Sequence, residues 1–241
     1  MFPTRWRPQA ITLDLDDTLW PIGPTLVAAE QTLSDWLHRQ APATAAAYGA
    51  DARAAIRRRV LAAHPDQAHD LGFLRREGLR LALADAGEDP ALADEGFAIF
   101  LAARQRVSLF DDVLPVLARW ATRYPLVAIS NGNADLQATG LSSYFMGAVS
   151  AHKFGYAKPD PRIFHAACRM AGAEPGQVLH IGDDPHLDVQ GAHDAGLQAA
   201  WILRPGIAER HARGAPAAAP RPSAPAFDTL LAIESWLDET S

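Results

Sequence analysis

The sequence predicts an α/β fold, a parallel sheet covered by helices on both faces and interrupted by an inserted helical domain. Three observations carry this. Ala10-Ile11-Thr12-Leu13-Asp14-Leu15 is a short apolar run with β-branched residues that ends in polar Asp16-Asp17-Thr18, so it reads as a buried strand running into a loop. Residues 21–106 change texture to Ala, Leu, Arg and Glu at helical spacing, with no convincing strand. After Asp111, apolar strand-like runs alternate with helical segments, as in sheets whose parallel strands are joined by crossover helices.

The elements follow in order. In the insert, Leu26, Ala29, Leu33, Trp36 and Leu37 recur at the helix period. The stretches around Ala52–Ala63, Phe73–Ala86 and Ala91–Arg106 read the same way, punctuated by Pro42, Pro65 and Pro90, which makes an insert of four-helix type. Beyond it the pattern gives a helix at Pro115–Arg123, a strand at Leu126–Ser130 and a short strand at Ala148–Ser150. A helix at Pro161–Ala171 has Asp160 as N-cap, Pro161 at its first position and Gly172 just past its end. A strand at Val178–Ile181, a helix at Pro185–Ala195 stopped by Gly196, a strand at Ala199–Leu203 and a last helix at Phe227–Leu237 complete the chain. Residues 205–225 are rich in Pro and Ala and read as a flexible excursion. The expected division is residues 1–20 and 107–241 as the α/β core, with 21–106 as a helical cap.

Composition bounds the function classes. The chain has 241 residues, 49% hydrophobic and 21% charged, an ordinary globular balance that excludes wholesale disorder. Lys and Arg total 22 against 28 Asp and Glu, so the net charge of −6 argues against a nucleic-acid partner. A lone cysteine, Cys168, excludes an intrachain disulfide and a cysteine-based zinc site, and it reads as core. No signal-peptide pattern opens the sequence and no apolar run reaches membrane-spanning length, so the expectation is a cytoplasmic protein without a membrane partner.

Open α/β sheets bind ligands beyond the carboxyl ends of their strands. The residues expected there are Asp14, Asp16, Asp17 and Thr18, then Ser130-Asn131-Gly132-Asn133, then Lys158, then Asp183 and Asp184 with Asp188 following. Carboxylates crowded together repel one another, a penalty that a bound cation removes. All-oxygen donors point to Mg²⁺, which keeps waters and accepts a substrate phosphate oxygen. Ser130 and the N–H groups after it suit an anion. Asp183 is the expected metal ligand, whereas Asp184, before Pro185, is explained by an N-cap. Asp188, one turn on, is either a solvated helix residue or the group that orients Lys158. Mid-strand His180 reads as a buried core histidine. Trp20 and Trp36 either pack helices together or stack on a flat ring.

These pieces together resemble the haloacid dehalogenase-like hydrolase superfamily: Asp14-Leu15-Asp16-Asp17-Thr18-Leu19, the strand ending at Ser130, Lys158-Pro159, and Ile181-Gly182-Asp183-Asp184 with Asp188. The helical insert after the first motif resembles that superfamily's C1 cap, on a Rossmann-like core. Within the superfamily, Val127–Ala134 and His180–Asp184 are similar in wording to bacterial flavin-mononucleotide and riboflavin-pathway phosphatases. The resemblance implies a Mg²⁺-dependent phosphatase acting on a small-molecule phosphate monoester through an aspartyl-phosphate. It implies Asp14 as nucleophile and Asp16 as general acid/base, with Ser130, Asn131 and Lys158 holding the phosphate. Asp14, the backbone carbonyl of Asp16 and Asp183 would hold the metal, supported from behind by Thr18, Asp184 and Asp188. The alternatives on the same scaffold are a 2-haloacid dehalogenase, a phosphomutase and a non-catalytic binding protein. A halide needs no protonated leaving group, so Asp16 speaks against the dehalogenase.

Overall fold

The protein is described here from a computed structural model, which covers residues 6–207 and 224–239. Strand β1 (Ala10–Leu13) opens the fold, and five helices follow: α1 (Ile22–Gln40), α2 (Pro42–Ala47), α3 (Ala50–Ala63), α4 (Leu71–Asp85) and α5 (Leu92–Arg104). Pro42 and Pro65 each start a new helical segment, because proline has no N–H to give a preceding turn but fits a first turn. Leu33, Trp36 and Leu37 of α1 bury against Leu79, Leu83 and Phe100, giving these helices a core of their own. Four helices are long and the short α2 is the fifth.

The chain returns to the sheet through α6 (Val113–Trp120), β2 (Leu126–Ser130), β3 (Gly147–Ser150), α7 (Ala151–Phe154), α8 (Pro161–Ala171) and β4 (Val178–Gly182). A π-helical turn (Pro185–Gln190), α9 (Gly191–Asp194), β5 (Gln198–Ile202), β6 (Ala226–Phe227) and α10 (Leu230–Glu239) follow. The six strands pair in parallel in the order β3-β2-β1-β4-β5-β6. Side chains alternate faces along each strand. Ile11, Leu13, Leu126, Ala128, Leu179 and Ile181 join the cluster under α6 and α10, and Ala10, Val127, Ile129 and Val178 face α8 and α9. Burial on both faces explains why these strands read as continuous apolar runs.

Two expected elements differ in detail. The helix expected over Pro185–Ala195 is π-helical for its first six residues and α-helical only over α9. The last helix starts at Leu230, because Ala226 and Phe227 pair with Trp201 and Ile202 as an edge strand. Most of the Pro/Ala-rich 205–225 segment lies outside the described residues.

The topology positions the site. From β1 the chain fills the sheet on one side with β2 and β3, then crosses to β4 on the other side of β1. The carboxyl ends of β1 and β4 therefore border the switch point, where open α/β sheets leave a crevice. In register, Leu13 lies between Ala128 and Ile181, so Asp14, Ser130 and Asp183 emerge along one edge.

Candidate active site

Asp14 leaves β1 with its N–H bonded to the Ile181 carbonyl and its side chain buried. The Lys158 ammonium bonds Asp14 and, at 2.6 Å, Asp188 Oδ1. Asp188 Oδ1 also meets His180 Nε2 at 3.0 Å, and His180 Nδ1 lies 2.9 Å from the Thr12 hydroxyl. Asp188 Oδ2 accepts the Asp184 N–H at 3.0 Å. A continuous polar chain thus runs from the sheet interior to Asp14. Gly182 makes room for it, since a Cβ there would lie 2.3 Å from the Asp188 carboxyl carbon.

The electrostatics follow from this wiring. Burial pushes the Asp14 carboxyl well up and the nearby Asp188 and Asp183 add to it, against the pull of Lys158. For Asp188 burial also acts upward, but Lys158 and His180 outweigh it and hold the group well below the carboxylate range. Burial alone would lower the Lys158 ammonium, yet Asp14 and Asp188 raise it above its ordinary value. Burial keeps His180 low, so it stays neutral at pH 7 and fits a tautomer that donates from Nε2 to Asp188.

Carboxylate oxygens of Asp14, Asp183 and Asp188 all lie within 4.8 Å of one another. Three buried acids share a single nearby ammonium, and their donors are hard oxygens, so the residues fit a divalent cation such as Mg²⁺. Asp188 already takes Lys158, His180 and a backbone N–H, which leaves Asp14 and Asp183 as the side chains with capacity for it. The Thr18 hydroxyl donates to Asp183 Oδ1 at 3.2 Å, and the Trp201 indole bonds the Asp183 carbonyl at 2.8 Å.

Asp16, two residues from Asp14, lives differently. Asp17 takes the left-handed backbone at φ 61°, its N–H bonds the Trp20 carbonyl and its carboxylate accepts the Ile22 N–H at 2.9 Å. The loop folds back, and the Trp20 indole donates to Asp16 Oδ1 at 2.9 Å. Arg104, the last residue of α5, donates to both oxygens of Asp16, to Oδ1 at 2.7 Å and to Oδ2 at 2.5 Å. The Asp16 carboxylate is therefore outside the metal cluster, so only its backbone carbonyl remains as the ligand expected there.

Ser130 Oγ accepts the Gly132 N–H at 2.9 Å and shapes the loop expected to take a phosphate. The Asn131 side chain has a different partner, the lysine loop. Its amide donates to the Lys158 carbonyl at 3.0 Å and accepts the Lys158 N–H at 2.7 Å, so it fixes the lysine loop, and the backbone N–H groups are what the sequence reading offers to an anion. Asp184 caps the π-helical turn through the N–H groups of His186 and Leu187. Trp20 and Trp36 are both buried and offer no face to a ring. Cys168 is buried, its thiol pushed up to about 11, and is inert.

Sequence reasoning missed Arg104, Trp20 as a partner of Asp16, and Trp201. Arg104 lies 88 residues from Asp16 and reads as an ordinary basic residue in a last helical turn. A cavity of about 340 Å³ opens beside Asp16 and Gly132, walled on the helical side by Glu30, Tyr48, Arg53, Arg75 and Phe100. The Arg75 guanidinium lies 3.7 Å over the Phe100 ring and bonds Glu30 at 2.5 Å.

Comparison with known proteins gives a consistent picture. The family model described as haloacid dehalogenase-like hydrolase matches residues 8–196. A 5-amino-6-(5-phospho-D-ribitylamino)uracil phosphatase of Escherichia coli K12 is 33% identical over 200 residues, 81% of this chain and 84% of that protein. A phosphoserine phosphatase of Thermus thermophilus is 34% identical over 55% of this chain and 56% of its own. Among solved structures, one described as a 2-haloacid dehalogenase from Pseudomonas syringae superposes with a TM-score of 0.85 at 37% identity, covering 97% of this chain and all of that one (100%).

Proposed function

The chain belongs to the haloacid dehalogenase-like hydrolase family, its phosphatase relatives support a phosphoric monoester hydrolase, and from that premise we propose a Mg²⁺-dependent cytoplasmic phosphatase of small phosphorylated metabolites. The observation that carries it is the buried Asp14–Lys158–Asp188 arrangement beside Asp183, with Asp16 held separately at the cavity. Attack by a carboxylate on a phosphate dianion brings negative charge against negative charge, so the site must supply positive charge where the two meet. Asp14, Asp183 and the backbone carbonyl of Asp16 would hold Mg²⁺, which would supply Lewis-acid charge neutralisation there.

Asp14 presents one oxygen to phosphorus and forms an aspartyl-phosphate as the ester P–O bond breaks. Lys158 binds the phosphoryl oxygens, held in place by Asp188, His180 and the Asn131 clasp on its backbone. The Ser130 hydroxyl and the N–H groups after it cradle the remaining oxygens. Asp16 gives its proton to the departing oxygen, then takes one from the water that cleaves the acyl phosphate, a shuttle worth about 10²–10⁴-fold. Residues 21–106 act as a cap that excludes bulk water and selects the leaving group.

For the substrate, the relative named for 5-amino-6-(5-phospho-D-ribitylamino)uracil favours a riboflavin-pathway phosphate or flavin mononucleotide. A panel of these esters and of sugar phosphates, each with and without EDTA and with free phosphate measured, tests the reading. Metal-dependent phosphate release with the highest kcat/KM on the riboflavin-pathway esters is expected. Equal rates in EDTA remove the metal, and a clear preference for sugar phosphates removes the substrate proposal.

The 2-haloacid dehalogenase reading has one observation behind it, the Pseudomonas syringae structure. Halide release from 2-chloropropionate, without phosphatase activity, would establish it instead.

A further inference from the structure

We propose that Glu30, flanked by Arg53 and Arg75, makes the cavity specific for a leaving group with an imide edge. That edge is the carbonyl–NH–carbonyl face shared by pyrimidinediones and flavins. The proposal rests on the phosphatase reading above and deepens it by naming the residues that read the leaving group.

The cavity of about 340 Å³ is lined by Asp16 and Gly132 beside the phosphate loop, and by Glu30, Arg53 and Arg75 on the helical side. A space of that size takes one small-molecule group. An ester whose phosphate lies against Ser130 and Gly132 therefore projects its leaving group toward these three side chains. They are open to it, with Glu30 24%, Arg75 26% and Arg53 36% exposed.

Across this group the functions run donor, acceptor, donor. Glu30 Oε1 accepts from Arg75 Nη1 at 2.5 Å. Glu30 Oε2 has the Arg53 guanidinium at 3.8 Å, beyond hydrogen-bond reach, so it is a charged acceptor with capacity left. Each guanidinium has five N–H donors and no acceptor. Arg75 uses one on Glu30 and lies 3.7 Å over the Phe100 ring, which holds it in place before any ligand arrives. Arg53 is anchored by one bond to the Tyr48 carbonyl at 3.2 Å. An imide edge presents acceptor, donor, acceptor and meets all three side chains at once. Arg57 also lines this wall, so an anionic leaving group is the rival occupant. Glu30 opposes it, because a carboxylate or second phosphate drawn to the arginines meets a like charge between them. A sugar hydroxyl both donates and accepts, so it satisfies any one of the three without being selected.

The test uses the full chain with Mg²⁺ and two matched pairs of esters. Flavin mononucleotide is set against its N3-methyl derivative, which lacks the imide N–H. Uridine 5′-monophosphate is set against cytidine 5′-monophosphate, which keeps the shape but puts an amine against a guanidinium and a ring nitrogen lone pair against Glu30. Wild type is expected to favour the imide member by at least about ten-fold in kcat/KM in one pair or both. Glu30→Gln should bring that ratio to within about three-fold, and a ratio taken within one variant cancels any general loss of activity. A ratio that survives Glu30→Gln in a variant with a cooperative thermal melt overturns the role of Glu30. Should Glu30→Gln fail to fold, the wild-type pairs decide alone. Equal rates within both pairs, or a higher kcat/KM on 3-phosphoglycerate than on any imide ester, overturn the proposal and leave the phosphatase reading standing. Binding of riboflavin and N3-methylriboflavin, followed by flavin fluorescence, separates the two failures. Wild type that hydrolyses no ester yet binds riboflavin at least about ten-fold more tightly loses the phosphatase reading and keeps the imide site. No hydrolysis and no such preference in binding overturn both.

Discussion

Asp14 and Asp16 share a residue type and are two positions apart, yet the molecule treats them in opposite ways. Asp14 is held entirely by the α/β core. Its partner Lys158 is wired through Asp188 and His180 back to Thr12 on β1 itself. Asp16 is held from two sides, by Arg104 at the end of α5 in the helical insert and by Trp20 in the loop that follows β1, and it borders the cavity. Environment assigns different work to two neighbouring carboxylates, one buried against a fixed cation and one poised at an opening. On the function proposed above, the core would fix the reacting atoms and the helical insert would hold the group that responds to the substrate.

The sharpest way to break this contrast is to remove the core member. Asp14→Asn keeps shape and an oxygen for Lys158 while deleting the proposed nucleophile. Turnover on every ester should fall by at least about 10⁴-fold, the scale of losing a nucleophile, with the thermal transition retained. Phosphate release kinetics beside a thermal melt check it. Turnover retained on any ester would take Asp14 out of the chemistry.

Gly132→Ala strikes where the two halves meet. The added methyl would lie 2.6 Å from Asp16 Oδ2 and 3.1 Å from Arg104 Nη2, so the acid must shift. A displacement near 1 Å costs about 10²-fold in a positioned site. The expected result is a drop in kcat of about that size with the fold intact, measured by steady-state kinetics and a melt. A wild-type kcat would mean that Asp16 reacts from another position.

The same division explains what the sequence made legible. The core half was readable because each side chain follows a strand end: β1 delivers Asp14, β2 delivers Ser130, β4 delivers Asp183, and a parallel sheet puts those ends on one edge. Even the reading of Asp188 as the group orienting Lys158 finds its geometry at 2.6 Å. His180 was readable as buried but not as a link, because a hydrogen bond to Asp188 depends on the π-helical turn, which no periodicity announces. The cap half was opaque. Helical spacing says which residues of α5 share a face, but not that its last residue reaches across 88 positions to Asp16. The start of the last helix was misplaced for a related reason: Ala226 and Phe227 become a strand only because β5 offers an unpaired edge.

The smallest expected effect lies farthest out, in the cap wall of the cavity, and it tests whether the division of labour is real. Arg75 stacks on Phe100 and pairs with Glu30, which Arg53 also approaches at 3.8 Å. None of these atoms touches Asp14, Lys158 or Asp183, so Arg75→Met leaves the core chemistry unaltered. It does remove a cation from the wall that faces the leaving group, and one polar contact of that kind contributes about 1–3 kcal/mol. The ratio of kcat/KM between a bulky metabolite ester and 4-nitrophenyl phosphate should therefore change by about ten-fold, mostly through KM of the bulky ester. 4-Nitrophenyl phosphate, whose leaving group is small and needs no proton, should keep its kcat within about two-fold. An equal loss on both esters would mean that the cap wall supports the reacting atoms after all, and that the separation between Asp14 and Asp16 does not extend to the walls around them.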